Sequence, residues 1–169
     1  MKEIKYEFAK IKKISLDDLY QGSTKAYQKL DELLIDIVNK EAPITMNILK
    51  LRLRTSFGVD RIREKAQTII DNEIKKLGFT ITDNLYDIVL WPKEGTFNVD
   101  YLRVGIKRTI YDVPYQEMVN LAASLNKKGE ELYREILKYF GFEVLTKKAL
   151  DYLKFIEEKI WELKDLLYR

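Results

Sequence analysis

The chain has no cysteine and no histidine, and only 3 prolines and 7 glycines in 169 residues. Without cysteine there are no disulfides, no thiolate zinc sites and no thiol nucleophile. Without histidine, the commonest general base and the commonest metal ligand near neutral pH are both missing. Any Ser-His-Asp arrangement is excluded, and a metal would have to be held by oxygen ligands alone. Long apolar runs are lacking too. No stretch approaches the roughly 20 residues that span a bilayer, and "MKEIKYEFAKIKK" at the start has no apolar core of the signal-peptide kind. These absences predict a cytoplasmic protein with no membrane partner.

What is present is apolar and charged in a helical mixture. The sequence is 46% hydrophobic and 34% charged, with a net charge of +3. That suits one sizeable core or two small ones, ordered and helix-rich. The acidic pairs Asp17-Asp18, Glu130-Glu131 and Glu157-Glu158 are neighbours in sequence, so on a helix they diverge by about 100° and cannot converge on a substrate. No nucleophile stands beside a base. The expectation is a non-enzymatic protein with no cofactor.

Periodicity divides the chain. Ile4, Tyr6 and Phe8 alternate with charged residues, as in a short strand or ordered arm over residues 1–22. Ser23 or Thr24 caps a helix to about Lys40, and Pro43 stops it. Thr45 opens a second helix to about Ser56, closed by Gly58; Asp60 opens a third to Leu77, closed by Gly78. Alternation then appears at Phe79 and Ile81 and again at Ile88 and Leu90, around "TDNLYD", which predicts a β-hairpin. The order of helix, short extended "PIT", two helices and a hairpin is that of a winged helix-turn-helix. The expected fold is therefore mostly α with a small β-hairpin. It has a winged helix-turn-helix-like first block at 23–92, a connector at 93–114 and a second three-helix block at 115–169, packed as one body. "YQKL" with a later "FG" at Phe57 is echoed by "YQEM" with "FG" at Phe140, a modest sign of internal duplication.

With Ile62 at zero and 100° per residue, Val59, Ala66, Ile69, Ile70, Ile74 and Leu77 cluster on the inward side of the third helix. Arg61, Lys65, Thr68 and Asn72 fall on a strip well away from it. Those residue types suit nucleic acid: Arg for guanine, Asn for adenine, Lys and Thr for the backbone. An ordinary solvated face has the same pattern. Charge is concentrated here as well. Met46 to Lys76 carries eight cationic and four anionic side chains, a net +4 that exceeds the +3 of the whole chain. Lys50, Arg52 and Arg54 on the preceding helix are the expected phosphate holders. Arg63 reads as a scaffold residue on the edge of the apolar face, and Glu73 as a paired, buried carboxylate. The hairpin tip carries Asp83 and Asp87, which counts against a tip contact with phosphate. Trp91 is expected to anchor the core between the two halves.

The run "DIVNKEAPITMNILKLRLRTSFGVDRIREKAQTIIDNEI", followed by "LWP", resembles a domain of unknown function found at the C-terminal end of large bacterial and archaeal helicase- and nuclease-like proteins. The matching positions are Glu41, Pro43, Ile44, Phe57, Gly58, Arg61, Ile62, Arg63, Trp91 and Pro92, with Arg103, Arg108, Val113, Pro114 and "YFGF" at 139–142 continuing it. Only Val59 and Asp60 separate Phe-Gly from Arg-Ile-Arg, fewer than the family pattern has. No G-x-x-x-x-G-K-[ST] occurs, so no ATPase motor is implied. The resemblance implies a DNA-engaging accessory module working with a helicase or nuclease partner. The rival expectation is a protein-interaction or oligomerisation module, for self-association or a different partner. It would use the last helix, where Phe155, Trp161 and Tyr168 fall off the main apolar stripe.

Overall fold

The computed structural model describes residues 1–167. Helix accounts for 57% of the described residues and strand for 11%, so the fold is mostly α with small sheets. In chain order the first elements are β1 (Lys2–Lys5), α1 (Leu16–Tyr20), α2 (Thr24–Glu41), β2 (Ile44–Thr45), α3 (Met46–Phe57) and α4 (Glu64–Leu77). They are followed by β3 (Thr80–Asp83), β4 (Ile88–Trp91), β5 (Tyr101–Val104), α5 (Tyr115–Leu125), α6 (Gly129–Tyr139) and α7 (Lys147–Leu167). Among the described residues no helix is long and apolar enough to cross a membrane.

The chain forms two compact units that are not sequential. The first comprises Glu7–Asp83 and Ile88–Phe97; the second comprises Met1–Tyr6, Asn84–Asp87 and the chain from Asn98 onward. The expected arm, block and connector are thus each shared out. Residues 1–6 belong to the second unit, and so do the four residues at the hairpin tip.

In the first unit, Ser23 caps α2 by accepting a hydrogen bond from the Ala26 amide at 3.3 Å. The helix then buries Leu30, Leu33, Leu34, Ile37 and Val38 on one face, each such side chain contributing about 1.5–3 kcal/mol relative to exposure. The sheet is three-stranded and antiparallel, in the order β2-β4-β3, with Leu90 opposite both Ile44 and Ile81. β4 is the central strand, and Val89, Leu90 and Trp91 are all fully buried. Trp91 lies within this unit, its indole N–H donating to Thr82 Oγ1 at 2.8 Å and its ring edge-on to Phe97.

Gly58 closes α3 at φ +65°, a left-handed conformation that a side chain disfavours. The third helix differs from expectation. It begins at Glu64 rather than Asp60, with Arg63 in extended conformation at its cap position and no side-chain cap bond. Asp60 is exposed and caps nothing. Residues 59–63 are instead a turn, so Arg61 stands before the helix, and Arg63 is an exposed boundary residue rather than part of an apolar edge.

In the second unit, β1 pairs in parallel with β5, Lys2 opposite Tyr101 and Lys5 opposite Val104. Met118 and Leu121 of α5, Ile136 and Leu137 of α6, and Tyr152, Leu153 and Ile156 of α7 form the core. Phe140 and Gly141 do recur as a helix stop, but one residue out of step with the first corner. Phe140 is the cap, and Gly141 follows it at φ +81°. At the centre sits Glu117, fully buried. It accepts hydrogen bonds from the Arg103 amide at 2.8 Å, from Arg103 Nε at 2.9 Å and from both terminal nitrogens of Arg108 at 3.1 Å. Arg103 also stacks on the Tyr6 ring at 4.6 Å. Burial alone would raise the Glu117 carboxyl; the charges of Arg108 and Arg103, and their hydrogen bonds, outweigh it and hold the group below the usual carboxylate range.

Candidate nucleic-acid interface

The helix α4 buries Ala66, Ile70, Glu73 and Ile74 and leaves Lys65, Thr68 and Asn72 exposed. Three of the four strip residues therefore share one solvent face at i, i+3 and i+7. The fourth, Arg61, is exposed in the turn before them. Thr68 donates its hydroxyl to the Glu64 carbonyl at 3.1 Å, which leaves only acceptor capacity outward. The Lys65 ammonium sits 4.6 Å above the Tyr20 ring, a cation–π contact that holds it beside the turn. Asn72 has no side-chain partner among the described residues and is the best-presented hydrogen-bonding group on the strip.

Glu73 is buried in the apolar face and paired with Lys76. Burial, then the nearby Asp31, raise its carboxyl above the ordinary range despite that ammonium. Lys76 also donates to Asp31 at 2.7 Å, tying α4 to α2. Hydrogen bonds to Asp31 and Glu73 push the ammonium up to about 12. Lys76 is thus a structural cation, committed to two carboxylates.

The three cations nominated on α3 do not act together. Arg52 is a scaffold residue. Its Nε donates to Glu41 Oε2 at 3.1 Å and a terminal nitrogen donates to the Ala9 carbonyl at 2.7 Å, while its guanidinium lies 4.7 Å over Phe8. Glu41, fully buried, also accepts the Ala9 amide at 3.0 Å. Breaking that set would leave a buried charge, so Arg52 is withdrawn from the phosphate holders. Lys50 and Arg54, four residues apart, share the other side of α3 and are half-buried. Arg54 Nε is buried without a hydrogen-bond partner.

Two open hollows flank the α3–α4 corner. The first, of about 390 Å³, is lined by Lys13, Lys25, Lys29, Ser15, Ser23 and the Phe57–Gly58 corner, among others. The second, of about 660 Å³, has Tyr20, Arg61 and Arg63 in its lining and shares Ser15, Phe57 and Gly58 with the first. Periodicity on single helices could not find this grouping, because its cations come from the arm, from α2 and from a turn.

No protein-family model, curated protein or solved structure matches the chain.

At the hairpin tip Leu85 and Tyr86 are exposed, while the residue before them is anchored. Asn84 is buried, with Nδ2 donating to the Val113 carbonyl at 3.1 Å and to the Tyr152 hydroxyl at 3.3 Å. Its Oδ1 accepts the Tyr115 amide at 2.7 Å. Tyr86 lies edge-on to Tyr111 at 5.9 Å, with Lys148 above both rings. On the last helix, Trp161 is half-exposed, and Leu163, Leu166 and Leu167 are exposed with it. Phe155, by contrast, is packed edge-on against Tyr115 at 5.7 Å and beside Tyr152, which removes it from the expected interaction surface. Tyr168 lies outside the described residues.

Proposed function

We propose that the chain is a non-enzymatic nucleic-acid-binding accessory module, with a winged-helix-type first unit and DNA as its partner. The observation that carries the reading is the division of α4. It buries Ala66, Ile70 and Ile74 and turns Lys65, Thr68 and Asn72 to solvent, with Arg61 and Arg63 exposed in the turn leading into it. A helix docked by one face and carrying cationic and amide side chains on the other is the arrangement a groove-reading helix needs. The order α2, β2, α3, α4, β3, β4, with β2 on the edge of the sheet, supports the winged-helix assignment. The helix and its preceding turn make the contact in this reading; the acidic hairpin does not.

Kinship with the C-terminal domains of helicase- and nuclease-like proteins is part of the same proposal, as is a cytoplasmic location. It is supported by the structural use of the resembling residues. Glu41 anchors Arg52, Gly58 forms the left-handed stop, Trp91 fills the core, and Arg103 and Arg108 hold Glu117. The partner would then be a separate helicase or nuclease chain acting on the same DNA.

The test is binding of a labelled mixed-sequence DNA duplex by fluorescence anisotropy at about 50 mM salt, where phosphate contacts are strongest. The R61A/K65A double variant should bind far more weakly at an unchanged melting temperature. No binding by the wild type rejects the reading. A second reading, as an interaction or self-association module, draws on exposed Trp161, Leu163, Leu166 and Leu167. A strictly monomeric chain across a concentration series rejects its self-association form.

A further inference from the structure

Some cations of the first unit are committed to carboxylates and others are not. Lys40, Arg52 and Lys76 each hold a carboxylate, at 2.8, 3.1 and 2.7 Å. Lys13, Lys25, Lys29, Arg61 and Arg63 form no ion pair among the described residues, and all five line the two hollows at the α3–α4 corner. The hollows share Ser15, Phe57 and Gly58 in their linings and so lie side by side as a two-part trough. Its lining also carries Asp18 in the first hollow and Asp17 and Asp60 in the second, so five positive charges face three negative ones. The lining thus carries a net positive charge of two that is open to solvent. Its field favours a ligand that is anionic along its length.

The trough also has donors and room. The side-chain oxygens of Ser15 and Ser23 accept the amides of Asp18 and Ala26, at 3.2 and 3.3 Å. A hydroxyl that accepts in this way keeps its own proton for an outside acceptor. At Gly58, a side chain would meet nothing within 4 Å, so the corner is open to close approach. Aromatic and amide groups that could read base edges are few in the lining; what it offers are ammonium, guanidinium and hydroxyl groups. Such donors suit phosphate oxygens.

We infer that this trough is a backbone track. It holds the phosphates of the same nucleic acid that α4 faces, through Lys13, Lys25, Lys29 and Arg63, and it contributes affinity without sequence preference. The inference rests on the nucleic-acid reading of the first unit and adds to it a second binding region on the arm and on α2. Lys25 and Lys29 are exposed and four apart on α2, so both can be replaced without touching its buried face.

The test compares the wild type, K25A/K29A and the charge-reversed K25E/K29E on two duplexes of unrelated sequence, from about 50 to about 200 mM salt. Removing one phosphate-binding cation should flatten the slope of log K against log salt by about 0.9. K25A/K29A should therefore flatten it by about 1.8 on both duplexes alike, with K25E/K29E weaker still and melting temperatures unchanged. A wild-type slope in both variants overturns the track while leaving the nucleic-acid reading of α4 standing. Wild-type protein that binds neither duplex overturns both. Tighter binding to polyglutamate of matching charge than to either duplex assigns the trough to an acidic protein segment, and the track is overturned in that case too.

Discussion

The Asn84 side-chain amide donates to the Tyr152 hydroxyl at 3.3 Å across 68 residues of sequence. The same side chain supplies what helix α5 lacks. The cap residue of α5 is Pro114, which has no side-chain oxygen to offer, and Asn84 Oδ1 accepts the Tyr115 amide in its place. Burial pushes the Tyr152 hydroxyl well above the usual tyrosine range; the Asn84 hydrogen bond works against that rise. The tyrosine is thus a permanent neutral partner in this set.

Asn84→Ala should destabilise the second unit by about 2–3 kcal/mol, because it takes the acceptor from the Tyr115 amide and removes both Nδ2 hydrogen bonds, while the Tyr152 hydroxyl keeps its bond to the Val113 carbonyl. Tyr152→Phe should cost about 1 kcal/mol, since Asn84 keeps its bond to the Val113 carbonyl. Urea unfolding followed by circular dichroism measures both. Equal losses would mean that the hydroxyl, rather than the amide, organises the site.

Glu117 sets the acid limit. Its carboxyl is lower in the folded protein than the ordinary value of 4.5. The unfolded chain therefore takes up the proton first as pH falls. The stabilisation is fully present above about pH 4.5 and is lost progressively as pH drops toward the folded value. Glu117→Gln should remove this contribution and leave Arg103 and Arg108 buried without their counter-charge, at a cost of about 3–5 kcal/mol near neutrality. Unfolding midpoints at a series of pH values from about 7 to about 3 check the sign. The wild type should lose stability faster than the variant below about pH 4.5.

Arg52 and Arg61 should separate cleanly. Arg52→Ala takes the guanidinium away from the buried Glu41 carboxylate and from the Ala9 carbonyl, so it should destabilise the first unit by about 3–5 kcal/mol. Arg61→Ala, at an exposed turn, should change stability by less than about 0.5 kcal/mol while weakening nucleic-acid binding. Thermal melts paired with anisotropy titrations of the two variants give the contrast. Stability loss in Arg61→Ala would make it a scaffold residue.

Much of the first unit's architecture was legible because it depends on local rules. The apolar face of α2, the stop at Gly58 and the hairpin flanking "TDNLYD" all follow from periodicity and left-handed glycine positions. The start of α4 was misplaced because Asp60 has the side chain of a cap residue, yet the chain spends residues 59–63 on a turn. That shift moved Arg61 and Arg63 off the helix. Arg52 carried no sequence mark of its bond to Glu41, since a charge on an amphipathic helix looks the same whether it meets solvent or a buried carboxylate. The pairing of Lys2–Lys5 with Tyr101–Val104 and the role of Asn84 are long-range, and nothing within a few residues of either announces them. For the candidate site, the exposed strip of Lys65, Thr68 and Asn72 was readable from one helix. The trough was not, because its cations lie on three separate segments.

The central claim is that the first unit binds nucleic acid chiefly through phosphate. The measurement that tests it most directly is the salt dependence of wild-type binding to a mixed-sequence DNA duplex, from about 50 to about 200 mM salt. Lys65 and the five trough cations together can neutralise about six phosphates, which predicts a slope of log K against log salt of about −5. A slope near zero, or no binding at the lowest salt, would contradict it.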